Sequence, residues 1–278
     1  MPKLLTEDQI AQFRRDGYHA PLRVVSKERA EDMRRRLEAC EAEQGGPLKG
    51  SLRFKSHLLF KWLNDLIRNP VVLDAVEDLI GPNILVWSTD WWIKEARSPS
   101  FVSWHQDSQY WGLDTSKLVT VWVALSPSTV RSGCMRVLPG SHLGPDLPHR
   151  DTYHDDNMLT RGQEIYDGID ESRTVNLEVM PGEAAIFAFR IAHASHPNAS
   201  DDRRIGMAIR YLPPDARQTR AERDIASLVR GEDTFGNFEH EPVPVTDFDP
   251  PVVEFHARAE EARRKILYAG TDWTSHHT

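Results

Sequence analysis

His105 and Asp107 stand two apart in the stretch SFVSWHQDSQYW, residues 100–111, inside an apolar, aromatic run. A buried carboxylate is costly unless it is paired or bound to a cation. With a histidine beside it, a metal ion is the natural counter-charge. Residues two apart on a strand project from the same face, so the pair is predicted to share one ion. The spacing alone is weak evidence. His149/Asp151 and His154/Asp156 repeat it in LPHRDTYHDDNM, which is polar and reads as a solvated loop. His105/Asp107 alone also suits a hydrogen-bonded histidine at a strand end.

A metal site needs a third ligand. Iron(II) oxygenases use two histidines and one carboxylate on one face of an octahedron. His193 ends an apolar strand in AAIFAFRIAHASHPNASDDRRIGMAIRYL. His196, beside Pro197 in the turn, and His142, in LPGSHL, are its rivals. Arg204 opens the next apolar strand. An arginine so placed pairs with a carboxylate, because its fork matches two oxygens and its charge cannot be shed. The partner is either an internal Asp or Glu or a dicarboxylate cosubstrate. A His-x-Asp with a distal histidine favours the second.

The elements that must position these residues read as mainly β with flanking helices. Residues 1–82 are mostly helical. Thr6 and Gln9 resemble a capping box, Gly17 stops that helix, Ser26 caps a second ending near Gly45-Gly46, and Asn69-Pro70 opens a third closed by Gly81. From Asn83 to about Tyr211, seven or so short strands separated by Gly/Pro turns suggest an antiparallel sandwich or jelly roll. KLVTVWVALS sets Val119, Val121 and Val123 on one side and Thr120, Trp122 and Ala124 on the other. Between His142 and Arg173 lies a polar stretch of little periodicity, a candidate lid carrying His149, Tyr153, His154 and Arg161. Residues 214–278 form a polar, turn-rich extension with a helix at VEFHARAEEARRKILYAG and a loose tail, TDWTSHHT. No domain boundary stands out, so 1–278 reads as one domain with a jelly-roll core at 83–213.

A net charge of −8 argues against nucleic acid or an anionic membrane as partner. No apolar run reaches the ~20 residues of a membrane span. Two cysteines, Cys40 and Cys134, exclude a disulfide framework and fit a reducing cytoplasm.

WHQD at 104–107, SGCMRVLPGSH at 132–142 and AHASHPNASDDRR at 192–204 resemble the phytanoyl-CoA dioxygenase family, and LTEDQIAQFRRDGY resembles its first helix. The resemblance runs from about residue 4 to residue 213. It implies a double-stranded β-helix (jelly roll, cupin-like) using Fe(II), 2-oxoglutarate and O2. His105, Asp107 and His193 would ligate iron. Arg204 would clamp the far carboxylate of 2-oxoglutarate beside Ser195, with Trp122 against it. Ala194 departs from the family's usual glycine. A carboxylate at Asp107 implies hydroxylation, since related chlorinating enzymes carry alanine or glycine there and halide takes the vacant site. Around this strand, Trp92, Lys94, Trp104 and Tyr110 are candidates to wall a small-molecule substrate, with Lys94 and Arg97 able to meet an anionic group. The other reading is a cupin-like metal-binding protein without redox chemistry, acting as a binding protein or isomerase.

Overall fold

The structure is a computed structural model that describes residues 2–267. The last residues of the helix predicted over 253–270, and the tail after it, lie outside that range.

Helix α1 (Glu7–Asp16) forms where its capping box predicts. The Thr6 hydroxyl accepts the Gln9 amide, and the Gln9 side chain accepts the Thr6 amide. Gly17 ends it in the left-handed region. β1 (Tyr18–Arg23) follows. Then come α2 (Lys27–Glu43), capped by Ser26, α3 (Lys61–Ile67), and α4 (Pro70–Ile80), capped by Asn69. The strands begin with β2 (Ile84–Lys94) and β3 (Val102–His105), followed by the helical turn α5 (Ser108–Trp111) and β4 (Val119–Ala124). β5 (Met135–Val137), β6 (His149–Asp151), β7 (Gln163–Ile165), β8 (Val175–Leu177), β9 (Glu183–Ala188), β10 (His193–Ser195) and β11 (Arg204–Leu212) follow. β12 (Asp224–Arg230), β13 (Phe238–His240) and α6 (Pro250–Leu267) complete the described chain.

A seven-stranded sheet runs β1-β9-β4-β11-β2-β12-β13, antiparallel except for the β12/β13 pair, and faces a four-stranded sheet β3-β10-β5-β8. This is a jelly roll. Strand β11 is buried along its whole length, and its alternation separates two cores. Ile205, Met207, Ile209 and Tyr211 join Val119, Val121 and Val123 against the helices, where Ile10, Phe13, Leu37 and Leu63 pack. Ala208, Trp122, Ala124 and Phe187 face the small sheet with Val137 and Leu177. The helices therefore seal one face of the large sheet and leave the space between the sheets for the site.

Four features depart from the sequence expectation. β1, in the region read as helical, is a sheet-edge strand whose Pro21 and half-buried pattern hide its pairing with β9. The stretch between His142 and Arg173 holds a two-stranded hairpin, β6 with β7, rather than structureless loop. β12, in the polar extension, pairs with β2 and widens the large sheet beyond the predicted core. The strand carrying His105 ends there: Asp107 sits at φ −60°, ψ −32°, as the N-cap residue of the α5 turn. The chain leaves extended geometry between the two, so a shared strand face is not what brings them together.

Candidate metal centre

His105 closes β3 and His193 opens β10, and the two are register partners across the small sheet. Their rings lie 4.0 Å apart, tilted by 50°. The Nδ1 of His105 donates to the Ser103 carbonyl at 2.9 Å, and that of His193 to the Ile191 carbonyl at 3.0 Å. A carbonyl can only accept, so each Nδ1 carries a proton and each Nε2 is the ring nitrogen left to face a metal. Burial, and next the nearby His105, push His193 down to about 4, so it stays neutral at ordinary pH. The turn into α5 brings Asp107 Oδ1 to 3.5 Å from His105 Nε2. One ligand atom from each of the three lies within 4.8 Å of the others. Two imidazoles and a carboxylate in a buried site fit a ferrous ion with open positions.

Gln106, between two of the candidate ligands, is fully buried. Its side chain donates to the Arg190 carbonyl at 2.6 Å and accepts the Leu147 amide at 2.7 Å. Its own amide donates to His149 Nε2 at 3.0 Å. Nothing in the sequence marks Gln106 or ties His149 to it. Such partners meet only when the hairpin folds over the sheet.

Arg204, at the start of β11, is 3% exposed. One guanidinium nitrogen donates to the Gly133 carbonyl at 3.0 Å, while its buried Nε has no partner. The guanidinium lies 5.3 Å from the Trp122 ring. Burial pushes it down to about 10. Among the described residues it forms no ion pair, so the internal-salt-bridge reading fails. Thr120 Oγ1, also buried and unpartnered, lines the same chamber with Ser195, Trp122 and the metal triad. Orphaned donors beside a metal set fit a carboxylate-bearing ligand. Gly206, two residues beyond Arg204, makes room for the wall, since a Cβ there would stand 1.9 Å from the Trp122 indole.

A second cavity of about 380 Å³ opens beside His105 and Asp107. Trp92 and Tyr110 line it with Trp91, Trp111 and residues 155–160 of the hairpin's connection. Arg210, unmarked in the sequence, lies on both cavities, paired with Asp90 and 4.5 Å from the Trp111 ring. Lys94 is placed elsewhere: its ammonium donates to Ser195 Oγ at 2.6 Å and to the His196 carbonyl. Trp104 turns outward, donating to Glu171 at 2.8 Å. Arg97 pairs with Asp201 at the surface. The rivals for third ligand stay apart from the triad. His196 meets Arg136, and His142 meets the Arg14 carbonyl. Among the described residues only His105, Asp107 and His193 form a metal-competent cluster.

Among solved structures, the chain matches a non-heme monooxygenase, ThoJ, at 36% identity and TM-score 0.82, over 94% of this chain and 97% of that one. It is 27% identical over 161 residues to a probable alpha-ketoglutarate-dependent hypophosphite dioxygenase of Stutzerimonas stutzeri, covering 58% of this chain and 56% of that protein. It is 25% identical over 228 residues to an L-proline trans-4-hydroxylase of Streptomyces griseoviridis, covering 73% and 85%. The chain spans about half the length of several curated relatives it matches. The sequence profile of phytanoyl-CoA dioxygenase matches residues 13–206, which hold the triad, Arg204 and the strands between them. The chain therefore belongs to the phytanoyl-CoA dioxygenase family.

Proposed function

We propose that this chain is an Fe(II)- and 2-oxoglutarate-dependent dioxygenase that hydroxylates a small metabolite or natural-product intermediate, with residues 1–278 acting as one oxygenase domain. The observation that carries the reading is Arg204, a buried guanidinium on the triad's chamber with no carboxylate of its own. A binding protein or isomerase built on the triad alone has no use for that charge. A keto-diacid supplies the missing partner.

In this reading His105, Asp107 and His193 hold the iron. When bound, the metal supplies O2 activation coupled to oxidative decarboxylation of the keto acid, yielding CO2, succinate and one oxygen atom for the substrate. The protein orients and encloses. Arg204 and the hydroxyls of Ser195 and Thr120 take the far carboxylate, and Trp122 packs against its chain. Asp107 fills the position that a halide needs, which favours hydroxylation over chlorination. Trp92 and Tyr110 wall the substrate cavity, where burial pushes the Tyr110 phenol up to about 12 and keeps it a neutral donor. The aromatic walls and residues 155–160 of the hairpin connection enclose part of the cavity beside the reacting centre. Relatives acting on hypophosphite and on proline support a small substrate. Among the described residues no helix is long and apolar enough to cross a membrane. The free, buried Cys40 and Cys134 support a reducing, cytoplasmic setting.

Succinate release from 2-oxoglutarate with iron(II), screened against a metabolite panel, tests the reading. Asp107→Ala should abolish iron-dependent release while its circular dichroism matches wild type. Undiminished turnover in that variant would overturn the assignment. Arg204→Met should raise the 2-oxoglutarate requirement roughly 10- to 100-fold, the value of hydrogen bonds to a charged group.

A further inference from the structure

Lys94 lies opposite Arg204 across the β2/β11 pair. It is fully buried. Among the described residues neither cation forms an ion pair. Like charges directly opposite on neighbouring strands destabilise a sheet, so both side chains can be charged together only with an anion between or beside them. The Lys94 ammonium donates to Ser195 Oγ at 2.6 Å, and Ser195 lines the chamber where Arg204's unpartnered Nε lies.

We infer that Lys94 is a positioning residue for the cosubstrate: its ammonium occupies an acceptor lone pair of Ser195, turns the Ser195 O–H into the chamber, and adds a second positive charge for the bound dianion. The inference rests on the oxygenase reading and deepens it. A hydroxyl has one donor and two acceptor sites. With one lone pair taken by Lys94, its proton is free to meet a carboxylate oxygen. Lys94 does not touch the cosubstrate; it acts through Ser195 and through its field.

The groups facing Lys94 carry no negative charge. They are Arg204 from β11, the Cys134 thiol ahead of β5, which burial pushes up to about 11, and the His196 side chain after β10, which burial holds below its usual range. Glu95, next in the chain just past β2, is engaged by Arg203. Burial, and next the nearby Arg204, push Lys94 down to about 6. An arriving dianion restores its proton, so cosubstrate binding at neutral pH takes one up. A neutral amine can instead accept a hydrogen bond from the Ser195 hydroxyl and turn it away from the chamber.

Calorimetry of 2-oxoglutarate binding to the nickel-loaded protein, which does not turn over, tests this. Titrations run at pH 7 in PIPES and in HEPES, whose ionisation enthalpies differ and which coordinate nickel only weakly. Wild type should take up most of one proton. Lys94→Met should bind 2-oxoglutarate about tenfold or more weakly, with no uptake and unchanged nickel affinity. Lys94→Arg should recover part of the affinity, still without uptake. Wild-type binding without proton uptake, or wild-type affinity in a folded Lys94→Met, overturns the inference while leaving the oxygenase reading intact. No binding of 2-oxoglutarate to wild type overturns the reading itself. The two-buffer measurement needs no variant, so it decides even if Lys94→Met does not fold.

Discussion

At the scale of single residues, the chamber depends on what is absent as much as on what is present. Gly206 has no side chain, and the Trp122 indole occupies the space a Cβ would take. That places the indole beside the Arg204 guanidinium. Gly133 serves the same end from the other side. Its φ of +72° suits glycine, a Cβ there would meet the His196 carbonyl at 2.2 Å, and its own carbonyl accepts from Arg204. Gly206→Ala should force the indole out of its place, at a cost of about 1–3 kcal/mol in stability. It should also weaken 2-oxoglutarate binding while leaving metal affinity unchanged. Thermal melting and calorimetry read the two effects separately, and unaltered 2-oxoglutarate affinity would mean that Trp122 does not shape the chamber.

At the scale of elements, the hairpin β6–β7 is tied to the turn that carries His105 and Asp107. His149 accepts the Gln106 amide, and the Leu147 amide is held by the Gln106 side chain, so the hairpin's first strand and the segment leading into it grip the residue between His105 and Asp107. The His149 ring is fixed in turn, its Nδ1 donating to the Leu147 carbonyl at 2.6 Å. Partners that orient metal ligands are commonly worth 10–100-fold in metal affinity. His149→Ala should therefore weaken nickel binding by about tenfold, read by titration, with 2-oxoglutarate affinity of the saturated protein less affected. An unchanged nickel affinity would make the contact one of packing only.

At the scale of the molecule, the C-terminal extension is locked to the jelly roll by a buried polar cluster. Glu241, after β13, accepts from His57 at 2.8 Å and from Ser227 at 2.6 Å, and pairs with Lys55. Lys55 also donates to the Trp87 and Ile225 carbonyls at 2.6 and 2.9 Å, joining β2 to β12. Burial pushes Glu241 up, but Lys55 and His57 together outweigh it and hold the carboxyl at about 2. A depressed folded-state value contributes stability above the unfolded value near 4.5, which is lost as pH falls toward 2. The contribution is of order 3 kcal/mol. Chemical denaturation from pH 6 to pH 2.5 should show this acid loss. Glu241→Gln should flatten it, and should cost roughly 3–5 kcal/mol at pH 7 by stranding Lys55 as a buried, unpaired charge. A variant with the wild-type acid profile would show that the cluster does not anchor the extension.

What the sequence determined by itself is whatever short-range chemistry encodes. Capping residues and glycines marked α1, α2 and α4, alternation marked β4, a short apolar run marked β11, and the family resemblance carried by WHQD and by the block from His193 to Arg204 pointed to the candidate metal ligands and their arginine. Tertiary structure decided the rest, because it depends on contacts between residues far apart in the chain. β1 and β12 carry little strand signal and become strands only when the large sheet offers an edge or a partner. Asp107 reaches the site by a turn rather than a strand face. Gln106 and Thr120 acquire roles only when β10, β11 and the hairpin close around them, and Lys94, which the sequence set against substrate, lies behind Ser195. Spacing along a chain shows which side chains share a local face, but which buried groups lack partners is settled only once the two sheets have met.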